Sequence, residues 1–478
     1  MSDSTTLHER PHGLLPTTVA YALLVGVPAM LVAVLLRIGE QLHGDAGAAA
    51  AGAVAVPRPA GAAPAFDLGL LTLQIVVIVA TSRLAGGLLA RLGQPRVVGE
   101  MAAGLVLGPT VFGQFAPSLS AIVFPAPSLG FVNAVAQVGL LLFMFLVGLE
   151  LDATHLRRQG RAALLTSHAS IVAPFLLGTA LALGLYPRLA PAGVAFTPFA
   201  LFVGAAMSVT AFPVLARILA DRGMTTTPLG ALAIVCAAVG DVTAWCILAG
   251  VVVIARASGA ASLVYTLAGT AVYLVVMFAV VRPLLVRLAV RAERADTLTQ
   301  TQLAVVMLLA LSSAWVTEKL GIHALFGAFL IGALLPSSGG LAESLSSKLR
   351  DLMIVLLLPL FFAFTGLRTT VSLISGGWMW MVCALVLLVA IAGKLGGSAV
   401  AARAAGMRWR DALSLGALMN TRGLMELVIL NVGLDIGVLT PALFAMMVVM
   451  ALVTTALTTP LLDLLAERGS ARDAPATR

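Results

Sequence analysis

The sequence predicts an all-α polytopic membrane protein, and three observations carry that prediction. The chain has 478 residues, of which 60% are hydrophobic and only 10% are charged. Its mean hydropathy is +1.05, well above the range of soluble domains. Apolar runs of about 20 residues, the length that crosses a bilayer as a helix, recur along most of the chain. A soluble domain is therefore excluded.

The first apolar run, Leu14 to Leu36, is interpreted as an extra transmembrane helix within residues 1–42. It is longer than the usual apolar core of a signal peptide, and only Arg10 before it is clearly basic. A cleaved signal peptide remains the alternative. Residues 43–66 are rich in Ala, Gly and Pro, which predicts a flexible external linker to the main body.

About thirteen further spans follow this linker when apolar segments of about 20 residues are counted. They are centred near residues 80, 105, 140, 173, 207, 243, 273, 308, 329, 360, 391, 422 and 452. The predicted protein therefore has a core of about thirteen spans and one extra helix at its N-terminus.

Basic residues collect in the loops on one side of these spans, which we call the arginine-rich side. It comprises Arg91, Arg96, Arg157, Arg158, Arg161, Arg217, Arg222, Arg287, Arg291, Arg294, Lys348, Arg350, Arg403, Arg408, Arg410, Arg468 and Arg472. The positive-inside rule predicts that this side is cytoplasmic, although Arg37 and Arg58 run weakly against it. We expect a bacterial inner-membrane protein with both termini in the cytoplasm, including a tail at 467–478. Because the net charge of +8 is spread over short loops, it does not indicate nucleic-acid binding.

Short segments of the chain repeat weakly and in the same order. The matching pairs are Leu142–Leu151 (LFMFLVGLEL) with Leu360–Thr369 (LFFAFTGLRT), Gly204–Ser208 (GAAMS) with Gly416–Asn420 (GALMN), and Gly99 and Gly104 with Gly327 and Gly332. Small residues at such spacing also occur through helix packing alone. The shared order of the pairs favours a true repeat.

Two six-helix units at residues 67–257 and 296–466, joined by one linker helix at 258–295, account for this order. A single joining span turns the second unit upside down relative to the first. Inverted repeats of this kind are typical of secondary transporters, which bind their substrate near the midplane where the units meet.

The first unit contains a helix breaker at membrane depth. Pro213 lacks an N–H and clashes with the carbonyl of Val209, so we expect the helix to open there. The freed carbonyls and the hydroxyls of Ser208 and Thr210 are then expected to face a cavity, because lipid cannot satisfy them. A simple proline kink is the alternative.

The second unit carries a matching break at Met419–Leu430 (MNTRGLMELVIL). Asn420 and Gly423 loosen the helix, while Arg422 and Glu426 place charges inside it. Breaks at equivalent positions of opposed repeats predict a pair of crossed, discontinuous helices. Opened carbonyls and helix ends there attract a dehydrated cation.

Three further charges lie in apolar surroundings. Asp241 is the lone carboxylate of the segment Ala231–Ala255, near the middle of the bilayer, where a charge costs about 3 kcal/mol. We interpret it as the cation and proton site, with a structural, hydrogen-bonded acid as the alternative. Lys394 is interpreted as an interior counter-charge rather than a snorkelling lysine. Glu100 is expected to be a packing or gating acid.

Several segments resemble the monovalent cation:proton antiporter superfamily, and most closely its Kef-type and plant cation/H⁺ exchanger branch. They are Gln94–Gly113, Val138–Asp152, Ser208–Leu219 and Asn420–Leu439, and the likeness extends from about Leu68 to Leu464. The resemblance implies a sodium/hydrogen exchanger-like fold of thirteen helices, a homodimer and elevator-like alternating access.

The resemblance also carries roles onto individual residues. It implies that Asp241 binds the ion and that Lys394 is the membrane-embedded lysine. It assigns the helix crossing to Thr210, Pro213, Asn420 and Arg422. The family usually has Asp or Asn before the essential aspartate, whereas this chain has Gly240. Members with paired aspartates tend to be electrogenic, so electroneutral exchange is expected here, with Lys394 bound to another acceptor such as a backbone carbonyl.

The expected function is exchange of Na⁺ or K⁺ for H⁺ across the inner membrane, serving pH and cation homeostasis. The sequence contains no phosphate-binding loop and no nucleophile arrangement, so neither an enzyme nor a cofactor is expected. No resident metal site is expected either, because the histidines are isolated. The alternative is a cation channel or a passive, ligand-sensing membrane protein on the same scaffold. The preference between Na⁺ and K⁺ stays open.

Overall fold

The fold is helical throughout the part of the chain that can be described. A computed structural model describes residues 17–50, 66–149, 160–225, 227–256, 260–295, 299–336 and 340–473. Within these ranges, twelve helical spans are long and apolar enough to cross a membrane. The bent pair Trp409–Met419 and Leu424–Asp435 makes a thirteenth if it is counted as one span. The predicted polytopic all-α fold is confirmed.

The first half of the chain contains the N-terminal helix and the predicted first repeat. Its helices are Thr17–Tyr21, α1 (Val27–Ala50), α2 (Leu68–Arg91), α3 (Arg96–Leu107), Phe112–Phe115, Pro117–Val123, α4 (Leu129–Leu149), α5 (Gly160–Leu189), α6 (Phe196–Ser208), α7 (Phe212–Asp221) and α8 (Pro228–Arg256). The π-helical turn Ala22–Gly26 joins Thr17–Tyr21 to α1, and a 3₁₀ turn, Ala126–Ser128, precedes α4.

The second half contains the predicted linker helix and the second repeat. Its helices are α9 (Ala260–Val276), α10 (Arg282–Ala295), α11 (Gln300–Lys319), α12 (Ala324–Leu334), α13 (Leu341–Leu352), α14 (Leu358–Leu367), α15 (Gly376–Ile391), α16 (Gly397–Ala404), α17 (Trp409–Met419), α18 (Leu424–Asp435) and α19 (Pro441–Asp473). The π-helical turns Met277–Val281, Met353–Leu357 and Ala392–Gly396 join neighbouring helices, and Val371–Leu373 is a 3₁₀ turn.

Both ends of the predicted core differ from the sequence-based boundaries. The helix α1 continues to Ala50, so residues 43–50 of the predicted linker are helical, as their alanine content favours. Residues 51–65 of that linker lie outside the described part of the chain. At the other end, α19 extends to Asp473, so most of the predicted tail at 467–478 continues the last helix.

One predicted span is shorter than expected. The segment centred near residue 329 forms α12, which has only 11 residues. The inverted-repeat counterpart of α12 is α3, which has 12 residues. Both helices are largely buried among neighbouring helices. The helix α3 belongs to the longer apolar span Arg96–Phe115, whereas α12 stands alone and is too short to cross a bilayer by itself. The apolar composition of α12 therefore reflects burial in protein, which a count of apolar residues cannot distinguish from lipid exposure.

Contacts between helices divide the described chain into two bundles. The crossover bundle contains α1, α5, α6, α7, α8 and α15 to α19, and the flanking bundle contains α2, α3, α4 and α9 to α14. Each repeat contributes helices to both bundles. The N-terminal helix α1 packs on α5 and α6, so it belongs to the crossover bundle.

Two close helix crossings build the centre of the flanking bundle. At the first, Gly366 of α14 lies on Gly104 of α3, where an added Cβ would sit 2.0 Å from the Gly104 carbonyl carbon. At the second, Gly332 of α12 lies on α4, where an added Cβ would sit 2.1 Å from the Phe145 carbonyl oxygen. Gly104 and Gly332 occupy equivalent positions of the two predicted repeats.

Substitution of Gly366 by Ala is expected to destabilise the flanking bundle, because the new methyl group cannot fit against the backbone of α3. Overpacking of this kind costs about 1–3 kcal/mol. Thermal unfolding in detergent measures the loss. The control is Gly250→Ala in α8, where an added Cβ meets nothing within 4 Å. Equal unfolding temperatures for both variants would contradict the close crossing.

Candidate functional site

Two interrupted helices cross in the middle of the crossover bundle. The first is interrupted at residues 209–211 between α6 and α7, and the second at 420–423 between α17 and α18, which bend by 45°. The Thr210 hydroxyl donates a hydrogen bond to the Met419 carbonyl at 3.0 Å. The N–H of Ala211 donates to the Thr421 carbonyl at 3.1 Å. These bonds tie the two breaks together.

Local sequence explains where each break falls. Pro213 is the second residue of α7, so the helix opens before it, at Val209–Ala211, rather than at the proline itself. A proline is favourable in the first turn of a helix, where its missing N–H has no partner to lose. In the second break, Gly423 has φ of 152°, and a Cβ there would lie 2.9 Å from the Val214 side chain. Glycine therefore permits both the backbone turn and the close approach of α7.

The carbonyl groups at the C-terminus of α6 are bound by cations of the protein itself. Arg422 donates from Nη1 to the Ala206 carbonyl at 3.1 Å and from Nη2 to the Met207 carbonyl at 2.7 Å. Lys394 donates to the Ser208 carbonyl. The expectation that the carbonyls of this helix end face a cavity is therefore wrong for these three groups. Positive charge at a helix C-terminus is stabilised by the partial negative charge of the free carbonyls.

Lys394 lies in the π-helical turn Ala392–Gly396 and is 1% exposed. Its second hydrogen bond runs to the Ser170 carbonyl of α5 at 2.9 Å. Gly393 beside it packs on Pro174, where an added Cβ would lie 2.7 Å from the proline Cα. This close contact brings the lysine to α5 and α6. The backbone carbonyls are thus its acceptors, as expected for a chain with Gly240.

Asp241 projects from α8 toward the crossing and is 1% exposed. Its charged neighbour is Lys394, and the N–H of Phe212, the first residue of α7, lies beside the carboxylate outside normal hydrogen-bond geometry. Among the described residues, neither carboxylate oxygen has a normal hydrogen-bond partner. A buried carboxylate in this state is costly unless it binds a proton or a cation.

Two more polar side chains at the crossing have unused atoms. Glu426 forms an ion pair with Arg422 at 3.2 Å, and both side chains are fully buried. Apart from this ion pair, neither carboxylate oxygen of Glu426 accepts a hydrogen bond from any residue that the structure describes. The amide oxygen and nitrogen of Asn420 likewise have no partner in the described part of the chain. The sequence predicts Asn420 as part of the helix break and the crossing, and not as an ion ligand.

The predicted hydroxyl ligands already donate to the backbone. Ser208 donates to the Ala205 carbonyl at 2.8 Å, and Thr210 donates across the crossing. Both oxygens keep lone pairs that can accept or coordinate. The sequence also missed Thr455 of α19, which accepts from the Arg422 N–H at 3.0 Å and donates to the Arg422 carbonyl at 2.8 Å. Threonines clustered in an otherwise apolar span were the available signal.

Glu100 lies apart from this cluster. It is 3% exposed on α3 and lines a cavity of about 410 Å³ between the two bundles, on the arginine-rich side. Pro213 and Arg217 of α7 and Arg350 of α13 also line the cavity. Arg217 is a charged neighbour of Glu100. The cavity is therefore bounded by α7, and Asp241 of α8 lies beside the N-terminus of that half-helix. A gating role for Glu100 stays a prediction.

The chain matches a known transporter family over most of its length. The family described as sodium/hydrogen exchanger, transmembrane, matches residues 76–467. The Na(+)/H(+) antiporter NhaS4 of Synechocystis sp. is 45% identical over 393 residues, which cover 82% of this chain and 96% of that protein.

Longer relatives occur in plants and yeast. Cation/H(+) antiporter 19 of Arabidopsis thaliana is 41% identical over 404 residues, which cover 84% of this chain and 50% of that protein. K(+)/H(+) antiporter 1 of Saccharomyces cerevisiae is 32% identical over 405 residues, which cover 83% and 46% of the two chains. The chain thus spans about half the length of these relatives.

The fold also matches a solved structure. The sodium proton antiporter MjNhaP1 from Methanocaldococcus jannaschii superposes with a TM-score of 0.60 at 16% sequence identity. The superposition covers 83% of this chain and 99% of that one. At this identity the match establishes the fold only.

Substitution of Thr210 by Val is expected to destabilise the crossing, because the Met419 carbonyl loses its donor in a buried site. The cost of an unmade buried hydrogen bond is about 1–3 kcal/mol. The control is Thr243→Val in α8, whose hydroxyl donates to the Val239 carbonyl within its own helix at 2.8 Å. Thermal unfolding in detergent compares the two. A loss for Thr243→Val as large as for Thr210→Val would contradict a special role for the inter-helix bond.

Proposed function

The chain belongs to the sodium/hydrogen exchanger family, and we propose that it exchanges one monovalent cation, Na⁺ or K⁺, for one H⁺ across a membrane. The observation that carries the proposal is the buried carboxylate of Asp241, which has no normal hydrogen-bond partner among the described residues and lies beside two broken helices. Such a carboxylate can hold a proton or a cation, but not both. Each unit of pH difference supplies about 1.4 kcal/mol per proton.

The cation site is proposed to consist of oxygen atoms at the crossing. Asp241 supplies the charge, and the hydroxyl oxygens of Ser208 and Thr210 and the amide oxygen of Asn420 supply neutral ligands. Support comes from the free lone pairs of the hydroxyls and from the unpartnered amide of Asn420 within the described chain. A dehydrated alkali cation requires several such oxygens in place of its water shell. Relatives are named for Na⁺ and for K⁺, so both cations remain substrates in this proposal.

The remaining charges are proposed to hold the site rather than to bind the ion. Lys394 and Arg422 bind the carbonyls at the end of α6, and Glu426 offsets the charge of Arg422. These groups are fixed by contacts that do not involve Asp241. Since a proton and an alkali cation carry the same charge, their exchange at Asp241 moves no net charge. Electroneutral exchange is the consequence.

Alternating access is proposed to move the crossover bundle against the flanking bundle. All the proposed ligands lie within the crossover bundle, so the bound ion would travel with it. The cavity of about 410 Å³ between the bundles lies on the arginine-rich side and is lined by α7 from Pro213 onward, so ions are proposed to approach the site from there. We place that side in the cytoplasm of a bacterial inner membrane, with both termini on it. The homodimer is proposed from the family resemblance.

Substitution of Asp241 by Asn is expected to lower exchange by about a hundredfold or more, because the amide keeps the shape but cannot bind the proton. Cation-driven proton flux into proteoliposomes, read with an internal pH dye for Na⁺ and K⁺ in turn, measures the loss. The control is Asp463→Asn, which removes an exposed carboxylate whose ion pair with Arg222 at 2.8 Å involves none of the proposed ion ligands. Retained flux in Asp241→Asn would refute the proposed site.

Exchange by the native chain is expected to be independent of imposed membrane voltage. Gly240→Asp tests the reason, because an added Cβ at Gly240 meets nothing within 4 Å and the new acid would lie next to Asp241. From the family resemblance, this variant is expected to gain a transport current in proteoliposomes, whereas the uncharged Gly240→Asn is not. A current that tracks exchange by the native chain would contradict electroneutrality.

A further inference from the structure

The two bundles are joined by polar side chains at the end of α14, on the side opposite the arginine-rich side. Arg368 follows α14 of the flanking bundle, while Asn431 and Asp435 lie on α18 of the crossover bundle. The guanidinium of Arg368 donates from Nη2 to Asp435 Oδ1 at 2.6 Å. It donates from Nη1 to Asn431 Oδ1 at 3.2 Å.

A second layer of contact lies deeper in the same interface. Asn431 is 2% exposed, and its Nδ2 donates to the hydroxyl of Thr365 on α14 at 2.8 Å. The side-chain amide of Asn431 therefore binds the flanking bundle through both of its ends. Arg368 also lies over the ring of Phe364 at 5.3 Å, which restrains the guanidinium. Thr365 and Arg368 are three positions apart, and Asn431 and Asp435 are four apart, so each pair lies on one helix face. The hydrogen bonds between the two pairs therefore form a continuous row.

The same two bundles are separated on the arginine-rich side. There the cavity of about 410 Å³ has walls from α3, α4 and α14 on one side and from α7 on the other. The side chains that line it from opposite bundles include Phe362 and Val214. The interface is thus closed by polar contacts at one end and open at the other.

We propose that Thr365, Arg368, Asn431 and Asp435 form a latch that holds the two bundles in this orientation, and that the latch must open each time the site turns to the opposite side. The proposal rests on the proposed function, because a latch has meaning only if the bundles move. The four residues are positioning residues. None of them is among the proposed ion ligands.

The chemistry of the latch suits a contact that breaks and reforms. The Arg368 and Asp435 side chains are 23% and 46% exposed, so water can solvate both charges when they separate. Exposed ion pairs of this kind contribute little on their own. The Asn431 amide adds a buried contact, because its oxygen accepts from Arg368 and its nitrogen donates to Thr365 as well as to the Leu427 carbonyl of its own helix. A buried amide that loses such a partner is destabilised. A weak pair together with a buried bond can bias the orientation without fixing it.

An internal comparison separates a latch from an ordinary ion pair. Arg222 and Asp463 also form an ion pair, here through two hydrogen bonds at 2.8 and 2.9 Å, but both residues lie within the crossover bundle. Loss of that pair changes no contact between the bundles. Asp463→Asn is therefore a matched control for Asp435→Asn.

Spin labels can report the orientation of the bundles at the latch side. Ser118 lies in the helix Pro117–Val123, which packs on α2 of the flanking bundle, and Ala192 lies in the loop between α5 and α6 of the crossover bundle. Both residues are exposed. The bond from Thr110 to the Thr369 carbonyl, at 2.9 Å, places the end of α3 beside the latch. The bond from Thr440 to the Leu189 carbonyl, at 3.0 Å, places the end of α5 near α18.

The experiment is double electron–electron resonance on the full chain in proteoliposomes, with cysteines at Ser118 and Ala192 and with the native Cys236, Cys246 and Cys383 replaced. Asp435→Asn is expected to raise the ratio of the longer to the shorter distance population about threefold to fivefold. Asp463→Asn is expected to leave it unchanged.

Two further variants keep the test decisive. Asn431→Leu is expected to shift the populations in the same direction as Asp435→Asn. The charge-reversed pair Arg368→Glu with Asp435→Arg is expected to recover part of the native distribution, because it reforms the ion pair but not the bond from residue 368 to Asn431. A general loss of stability cannot produce such a recovery. Unchanged distances in Asp435→Asn, an equal shift in Asp463→Asn, or no rescue by the reversed pair would each overturn the latch.

The result also separates the latch from the proposed exchange chemistry. A shift in Asp435→Asn together with retained exchange in Asp241→Asn would leave the latch standing and remove Asp241 from the mechanism. Loss of exchange in Asp241→Asn with no shift in Asp435→Asn would do the reverse.

Discussion

The carbonyl groups at the C-terminus of α6 have no helical partners inside a membrane-spanning bundle, and this constraint determines the rest of the site. Unsatisfied carbonyls at this depth are costly, so each must find a donor. Arg422 and Lys394 supply those donors for Ala206, Met207 and Ser208. Two buried cations then require negative charge nearby. Glu426 forms an ion pair with Arg422. Asp241 is the acidic neighbour of Lys394, although the two side chains form no direct bond.

The anchors of the crossing all lie within one bundle, which links the electrostatics to the motion. Lys394 spans from the turn before α16 to α5 and α6, and Arg422 spans from the second break to α6. None of these bonds reaches the flanking bundle. The crossover bundle can therefore shift without breaking the contacts that hold its charges. The polar contacts at Arg368 and Asn431 do connect the bundles, so orientation and binding depend on different residues.

Much of this arrangement could be predicted from the sequence because the strongest signals are local. Charges at Asp241 and Lys394 stand out in apolar runs, and Pro213 and Gly423 mark breaks at equivalent repeat positions. The acceptors of Arg422 were not predictable, because they are backbone carbonyls more than two hundred residues away. The contacts of Asn431 and Asp435 were not predictable, because polar residues near a helix end have the same sequence pattern whether they face water or another bundle. The length of α12 was misjudged because apolar composition is shared by buried and lipid-facing helices.

The two predicted repeats place corresponding hydrogen bonds at the crossing, with a neutral donor in one half and a charged donor in the other. Met207 and Met419 occupy equivalent repeat positions, as do Thr210 and Arg422. Thr210 donates to the Met419 carbonyl, and Arg422 donates to the Met207 carbonyl, so the same bond is present in both halves with different donors. Two neutral donors would leave Asp241 and Glu426 with too little positive charge around them, while two arginines would favour permanent ionisation of the acid. One neutral donor, Thr210, and one charged donor, Arg422, hold the crossing together and leave the Asp241 carboxylate able to bind either a proton or a cation.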